Sequence, residues 1–98
     1  MLKEKDYTEK FSYSIAERIS AEYGITPNYL YEYHPRNSRP RTMMIALMRL
    51  RDIRCNFIKI DLDIYNTQIS RAVKNHWSFL EKDIKYKQVF DKIQNIQI

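Results

Sequence analysis

The residues best suited to chemistry are the arginines of Asn37-Ser38-Arg39-Pro40-Arg41-Thr42-Met43-Met44-Ile45-Ala46-Leu47-Met48-Arg49-Leu50-Arg51. Here Arg39, Arg41, Arg49 and Arg51 bracket a run that is apolar except at Thr42. Residues 34–59 hold Arg36, Arg39, Arg41, Arg49, Arg51, Arg54 and Lys59 against Asp52 alone, a net +6. Residues 1–33 balance at −2 and residues 60–98 at +1, so nearly all of the net +5 belongs to this one segment. Arginine predominates, and its planar fork of donors engages a phosphate or a guanine edge with two bonds at once. The chemistry indicated is recognition of a polyanion, and a pI near 9.4 agrees with it.

Catalysis has no candidate residues. No Ser/His/Asp or Cys/His arrangement and no phosphate-cradling glycine loop occurs, and the only glycine is Gly24. Asp61 and Asp63 stand close together but read as part of a turn, while His34, His76 and Cys55 lack the spacing of a zinc site. The expectation is a protein that is not an enzyme and holds no metal or cofactor. A single cysteine permits no internal disulfide, and Met1 to Phe11 has no apolar run that could be a signal peptide or a membrane span. A cytoplasmic, nucleoid-associated location without a membrane partner follows as an expectation.

Positioning those arginines is the task of a small scaffold. With 98 residues the chain forms one domain, and three prolines and one glycine are too few turn formers for a multi-stranded sheet. The fold expected is all-α with about six helices, preceded by a tail over residues 1–6. Tyr7, Phe11, Ile15, Ile19 and Tyr23 recur every fourth residue and predict an amphipathic helix over 7–23, stopped by Gly24. Thr26 then caps a short helix that has Pro27 at its first position and runs to about Tyr33. Residues 34–40 read as an extended loop. Pro40 opens a third helix, with Arg39 near its N-cap and a core stripe of Met43, Met44, Leu47, Leu50 and Ile53. Of Met43, Met44 and Met48, one is expected to be partly exposed. Residues 55–64 alternate like a strand, but a lone strand has no partner here, so a short helix and a turn at Asp61 to Ile64 are preferred. From Asn66 a longer helix uses Ile69, Val73, Trp77 or His76, Leu80 and Ile84, with His76 at the core edge. After a break near Asp83, Tyr86, Phe90, Ile93 and Gln97 continue the pattern.

A short helix, a turn and a longer helix over about 55–82 make a helix-turn-helix, whose second helix can lie in the major groove with its first residues at base edges. At this point the chain resembles a known family. Arg39-Pro40-Arg41-Thr42-Met43-Met44-Ile45-Ala46-Leu47 is similar to the arginine-proline-arginine start of the central helix in the C-terminal DNA-binding domain of the bacterial replication initiator DnaA. That domain has a helix-turn-helix of the Trp-repressor-like class. Asn66-Thr67-Gln68-Ile69-Ser70-Arg71-Ala72-Val73 resembles the His-Thr-Thr-Val-Leu-His-Ala start of that family's recognition helix, and Ala21 to Leu30 resembles its opening helix and turn. The likeness covers roughly 80 residues in the same order. It departs where the family's Gly-Gly-Arg-Asp is replaced by the shorter Asp63-Ile64-Tyr65, and where Tyr65 and Asn66 stand in base-reading places with only Thr67 kept. A different sequence preference is expected, and the chain has no room for the family's ATPase module.

The resemblance implies that Arg41 contacts phosphate at the helix start and that Arg36 is the arginine reaching the minor groove. Arg39 is expected to add a phosphate contact. Asn66 can bond adenine in two places and Thr67 can meet a thymine methyl, although both residue types are also strong N-caps. Tyr65 sits at the tip, and Gln68, Arg71 and Lys74 line the groove or its phosphate wall on the solvent side of the helix. The partner expected is double-stranded DNA, in the regulation of replication or transcription. The alternative is a protein-interaction adaptor or inhibitor of a replication or regulatory protein, docking through Tyr65, Asn66 and the tyrosines Tyr29, Tyr31 and Tyr33. Ile96 and Ile98 at the C-terminal end are candidates for a small dimer patch.

Overall fold

A computed structural model describes Lys10, residues 12–32 and residues 34–94, and the described residues are all-helical. Five α-helices and two 3-10 turns stand where six helices were expected. They are α1 (Tyr13–Tyr23), a 3-10 turn at Pro27–Tyr31, a second at Pro35–Asn37, α2 (Ser38–Leu50), α3 (Cys55–Leu62), α4 (Asn66–Lys82) and α5 (Ile84–Gln94). The 1–6 tail, Tyr7, Phe11, Tyr33, Ile96, Gln97 and Ile98, all given roles above, lie outside the described residues. No helix of the described residues is long and apolar enough to cross a membrane.

Helix α1 buries Ile15, Ala16 and Ile19 and turns Glu17, Arg18 and Ala21 outward. Gly24 ends it at a left-handed φ of 69°, a conformation that costs a side-chain-bearing residue strain, and there the Gly24 and Ile25 amides both donate to the Ser20 carbonyl. The segment expected as an extended loop is instead a second 3-10 turn, closed from within by Asn37. Its amide nitrogen donates to the carbonyls of Tyr29 (2.7 Å) and Glu32 (2.9 Å), and its Oδ1 accepts the His34 N–H (3.1 Å). Such a buried polar residue must be saturated with bonds, and Asn37 thereby folds the loop onto the core.

Helix α2 therefore begins at Ser38, two residues before Pro40, and Pro40 at the third helical position removes a donor that has no intrahelical acceptor in any case. The expected narrow stripe is corrected. Every residue from Thr42 to Met48 is buried, all three methionines included, while Leu50 is 45% exposed. A helix apolar all round has to be enclosed, and α2 touches each of the other four helices and both 3-10 turns.

The turns around α3 manage without glycine. Asp52 (φ 61°) and Asp63 (φ 54°) hold the left-handed positions after α2 and α3, a conformation that aspartate tolerates better than most residues. The Ile53 amide donates to the Met48 carbonyl and the Ile64 amide to the Lys59 carbonyl, closing both helix ends. Residues 55–62 are thus helix and not strand, with Ile58 and Leu62 facing the core.

On α4 the core positions are Ile69, Ala72 and His76, with Val73, Phe79 and Leu80 half-buried. Trp77 is half exposed and Ile84 almost wholly so, because the break at Asp83 takes Ile84 off the stripe. His76 is not at the core edge but fully enclosed. Its Nδ1 lies 2.5 Å from the Tyr86 hydroxyl of α5, and its ring meets Phe90 edge-on. This polar contact inside an aromatic cluster fixes α5 against α4.

Burial pushes the His76 pKa down, so the folded protein holds this ring neutral. A histidine whose folded pKa is depressed contributes stability that is present above its unfolded pKa, near 6.5, and lost as the pH falls below it. Urea unfolding should therefore show stability decreasing between about pH 7.5 and pH 5.5, and His76→Gln should flatten that slope while lowering stability at both ends. An unchanged slope in the variant would show that His76 is not the group responsible.

Candidate nucleic-acid interface

The turn before α4 is built from Asp63, Ile64 and Tyr65. Ile64 is buried and anchors it, whereas Tyr65 is 75% exposed. Tyr65, not Asn66 or Thr67, is the N-cap: its amide donates to Gln68 Oε1 (2.8 Å) and its carbonyl accepts the Gln68 amide (3.0 Å). Capping thus falls to the Gln68 side chain, and Asn66 and Thr67 occupy the first helical positions with exposed side chains. Along the first ten residues of α4 the exposed side chains are Asn66, Thr67, Gln68, Ser70, Arg71, Lys74 and Asn75. None is acidic, and all can donate hydrogen bonds.

The arginine-rich segment is not one free patch. Arg36 is exposed in the second 3-10 turn. Arg39 Nε donates to Asp83 Oδ2 at 2.5 Å, and its guanidinium lies 4.8 Å from the Phe79 ring centroid, which places it beside the far end of α4. The Asp83 carboxyl also accepts the Tyr86 amide at 3.0 Å; that bond first, and then Arg39, hold it below the usual carboxylate range. Arg41 is half-buried and donates from Nη1 to the Leu30 carbonyl at 2.8 Å. Burial pulls its pKa down, and no carboxylate pairs with it among the described residues. Arg49 is tied to the Ile53 carbonyl at 2.8 Å.

What the fold does bring together is Arg41, Gln68 and Arg71. These three line one open groove of about 270 Å³ between α2 and α4. Ser38, Thr42 and Asn75 complete its polar lining, and sequence reasoning missed all three. The signal for Asn75 was present, since positions 68, 71 and 75 share a helix face. Arg39 and Arg36 do not line this groove, while Tyr65, Asn66, Thr67 and Lys74 lie along the exposed side of α4.

Of the tyrosines expected at a protein interface, one is withdrawn into the core. Tyr31 is a core residue whose hydroxyl meets Ser12 Oγ at 2.8 Å, and burial pushes its pKa up to about 12. Tyr29 stacks on His34 with ring centroids 4.4 Å apart. Among the described residues no three His, Cys, Asp or Glu side chains cluster to hold a metal ion. No family model matches the chain, and comparison with curated proteins and with solved structures finds no similar one. The likeness to the DnaA domain thus rests on the motifs quoted above.

The contact of Arg39 with Asp83 is a largely exposed ion pair, whose coupling should be only about 0.5 kcal/mol in a double-mutant cycle of Arg39→Ala with Asp83→Asn. Asp83→Ala also removes the bond to the Tyr86 amide at the start of α5, and should cost about 1 kcal/mol in urea unfolding. Equal costs for Asp83→Asn and Asp83→Ala would show that the carboxylate has no capping role.

Proposed function

We propose that the protein binds double-stranded DNA by presenting the first half of α4 to the major groove, in the manner of the DnaA C-terminal domain it resembles. The observation that carries this reading is the exposed, acid-free, donor-rich face from Asn66 to Asn75, set directly behind a tight turn. Asn66 and Thr67, relieved of capping, are the base-reading candidates, with Tyr65 beside them. Arg71 and Lys74 supply phosphate contacts from the helix itself, and Arg36 supplies one from the flanking turn. Arg39 acts mainly in the scaffold, through Asp83, and one donor of Arg41 is tied to the Leu30 carbonyl. Regulation of replication or transcription, with no chemistry of its own, is the role that such a module fits.

A second reading has its own observation. On α3, Phe57 is 51% and Ile60 71% exposed at positions three apart, and an adaptor or inhibitor would meet its protein partner there.

Fluorescence anisotropy on a random duplex from about 50 to 200 mM salt tests the first reading. Affinity should fall steeply with salt, and the Arg71→Ala/Lys74→Ala variant should reduce the log–log slope by about 2, close to one unit per lost phosphate contact. Ile60→Asp should leave duplex affinity unchanged. Absence of binding at the lowest salt would refute the DNA reading, and loss of binding in Ile60→Asp would move the contact to α3.

A further inference from the structure

We propose that the groove between α2 and α4 is a seat for a phosphate group. The inference stands on the groove itself and does not require the duplex reading.

Arg41 is the first reason. Its guanidinium is half-buried, its one partner among the described residues is the Leu30 carbonyl, and no carboxylate lines the groove. A charge withdrawn from water is costly unless a counter-charge faces it, and within the described residues none does. The Leu30 bond pins one Nη1 donor and leaves the other N–H groups of the fork to be satisfied.

The rest of the lining suits an oxyanion. Arg71 brings a second guanidinium from α4, flanked on the same face by the amides of Gln68 and Asn75. Ser38 and Thr42, one turn apart on the opposite wall, add hydroxyls at the N-terminal end of α2, where the helix dipole also favours negative charge. Beneath them Ile45, Ile64 and Ala72 form an apolar floor, which weakens screening of the two cations. Two guanidiniums and several neutral donors match a tetrahedral phosphate, whose acceptor oxygens point in several directions, better than a planar carboxylate. The volume of about 270 Å³ leaves room for the substituent of an ester, so the occupant is a backbone phosphate of nucleic acid or a free phosphate monoester.

The test is an NMR titration of the isotope-labelled protein with inorganic phosphate at constant ionic strength, chloride being the balancing anion. Saturable shifts of the backbone amides of Ser38, Arg39, Arg41 and Thr42 and of Gln68 to Asn75 are expected. Arg71→Gln, an exposed substitution that spares the core, should weaken the fitted phosphate affinity by about tenfold, as loss of a charge-assisted bond requires. Arg41→Gln should do the same, and the Arg71 variant keeps the test decisive if Arg41→Gln fails to fold. Shifts that grow without saturating, or that persist unchanged in Arg71→Gln, overturn the site. A repeat with duplex present separates the two sources. Phosphate that displaces duplex at constant ionic strength occupies the seat of a backbone phosphate, and phosphate that binds equally well beside duplex identifies a free ester as the ligand. Both outcomes support the site, and saturable phosphate binding by a protein with no duplex affinity would retire the DNA reading alone.

Discussion

Everything in this fold is arranged around the burial of α2 from Thr42 to Met48. Seven consecutive helical residues without an exposed member require neighbours on all sides, and α1, α3, α4 and α5 all supply them. Each large apolar side chain so enclosed is worth about 1.5–3 kcal/mol over leaving it in water, which makes this one helix the main source of cohesion. It also sets the positions of the charged groups. Arg39 and Arg41 stand on its first turn, Arg49 on its last, and α4 is packed along it so that Arg71 comes to the same groove as Arg41.

A helix that apolar leaves the polar work to a few residues with specific bonds. Asn37 folds the preceding loop with three hydrogen bonds, and Asp52 and Asp63 take the left-handed turns that a sequence with one glycine cannot give to glycine. His76 and Tyr86 join α4 to α5 inside an aromatic cluster, and Asp83 both starts α5 and holds Arg39. These contacts explain why arginines that look alike in sequence diverge in the fold: among the described residues one is paired with a carboxylate, two are bonded to carbonyls, and others stand at exposed positions.

Legibility in the sequence followed the strength of each local signal. Gly24 as a stop, a short helix and then a longer one within 55–82, and the break at Asp83 were readable, because a left-handed turn or the end of an apolar period leaves a mark on residue type. The stripe on α2 was not, since periodicity reports one buried face and this helix has no other kind; the exposure of Leu50 reflects where its neighbours stop. Asn37 read as a loop residue because its three partners are carbonyl and amide groups that composition does not reveal. For the site, the exposed positions Arg71 and Lys74 followed from helical phase, while the fates of Arg39 and Arg41 depended on Asp83 and Leu30, remote in sequence and adjacent only after folding.

Charge alone does not distinguish a DNA reader from any other basic domain, because counterion release rewards every phosphate contact regardless of groove. What we propose is narrower: Asn66 and Thr67, exposed at the start of α4, meet base edges in the major groove, while Arg71 and Lys74 hold phosphates. The most direct measurement compares affinity for a duplex with that for the same duplex carrying glucosylated 5-hydroxymethylcytosine, which fills the major groove and leaves the phosphates and the minor groove in place. The account predicts that glucosylation weakens binding by about tenfold or more, the size of one lost base contact. Equal affinity for the two duplexes would place α4 outside the major groove and contradict it.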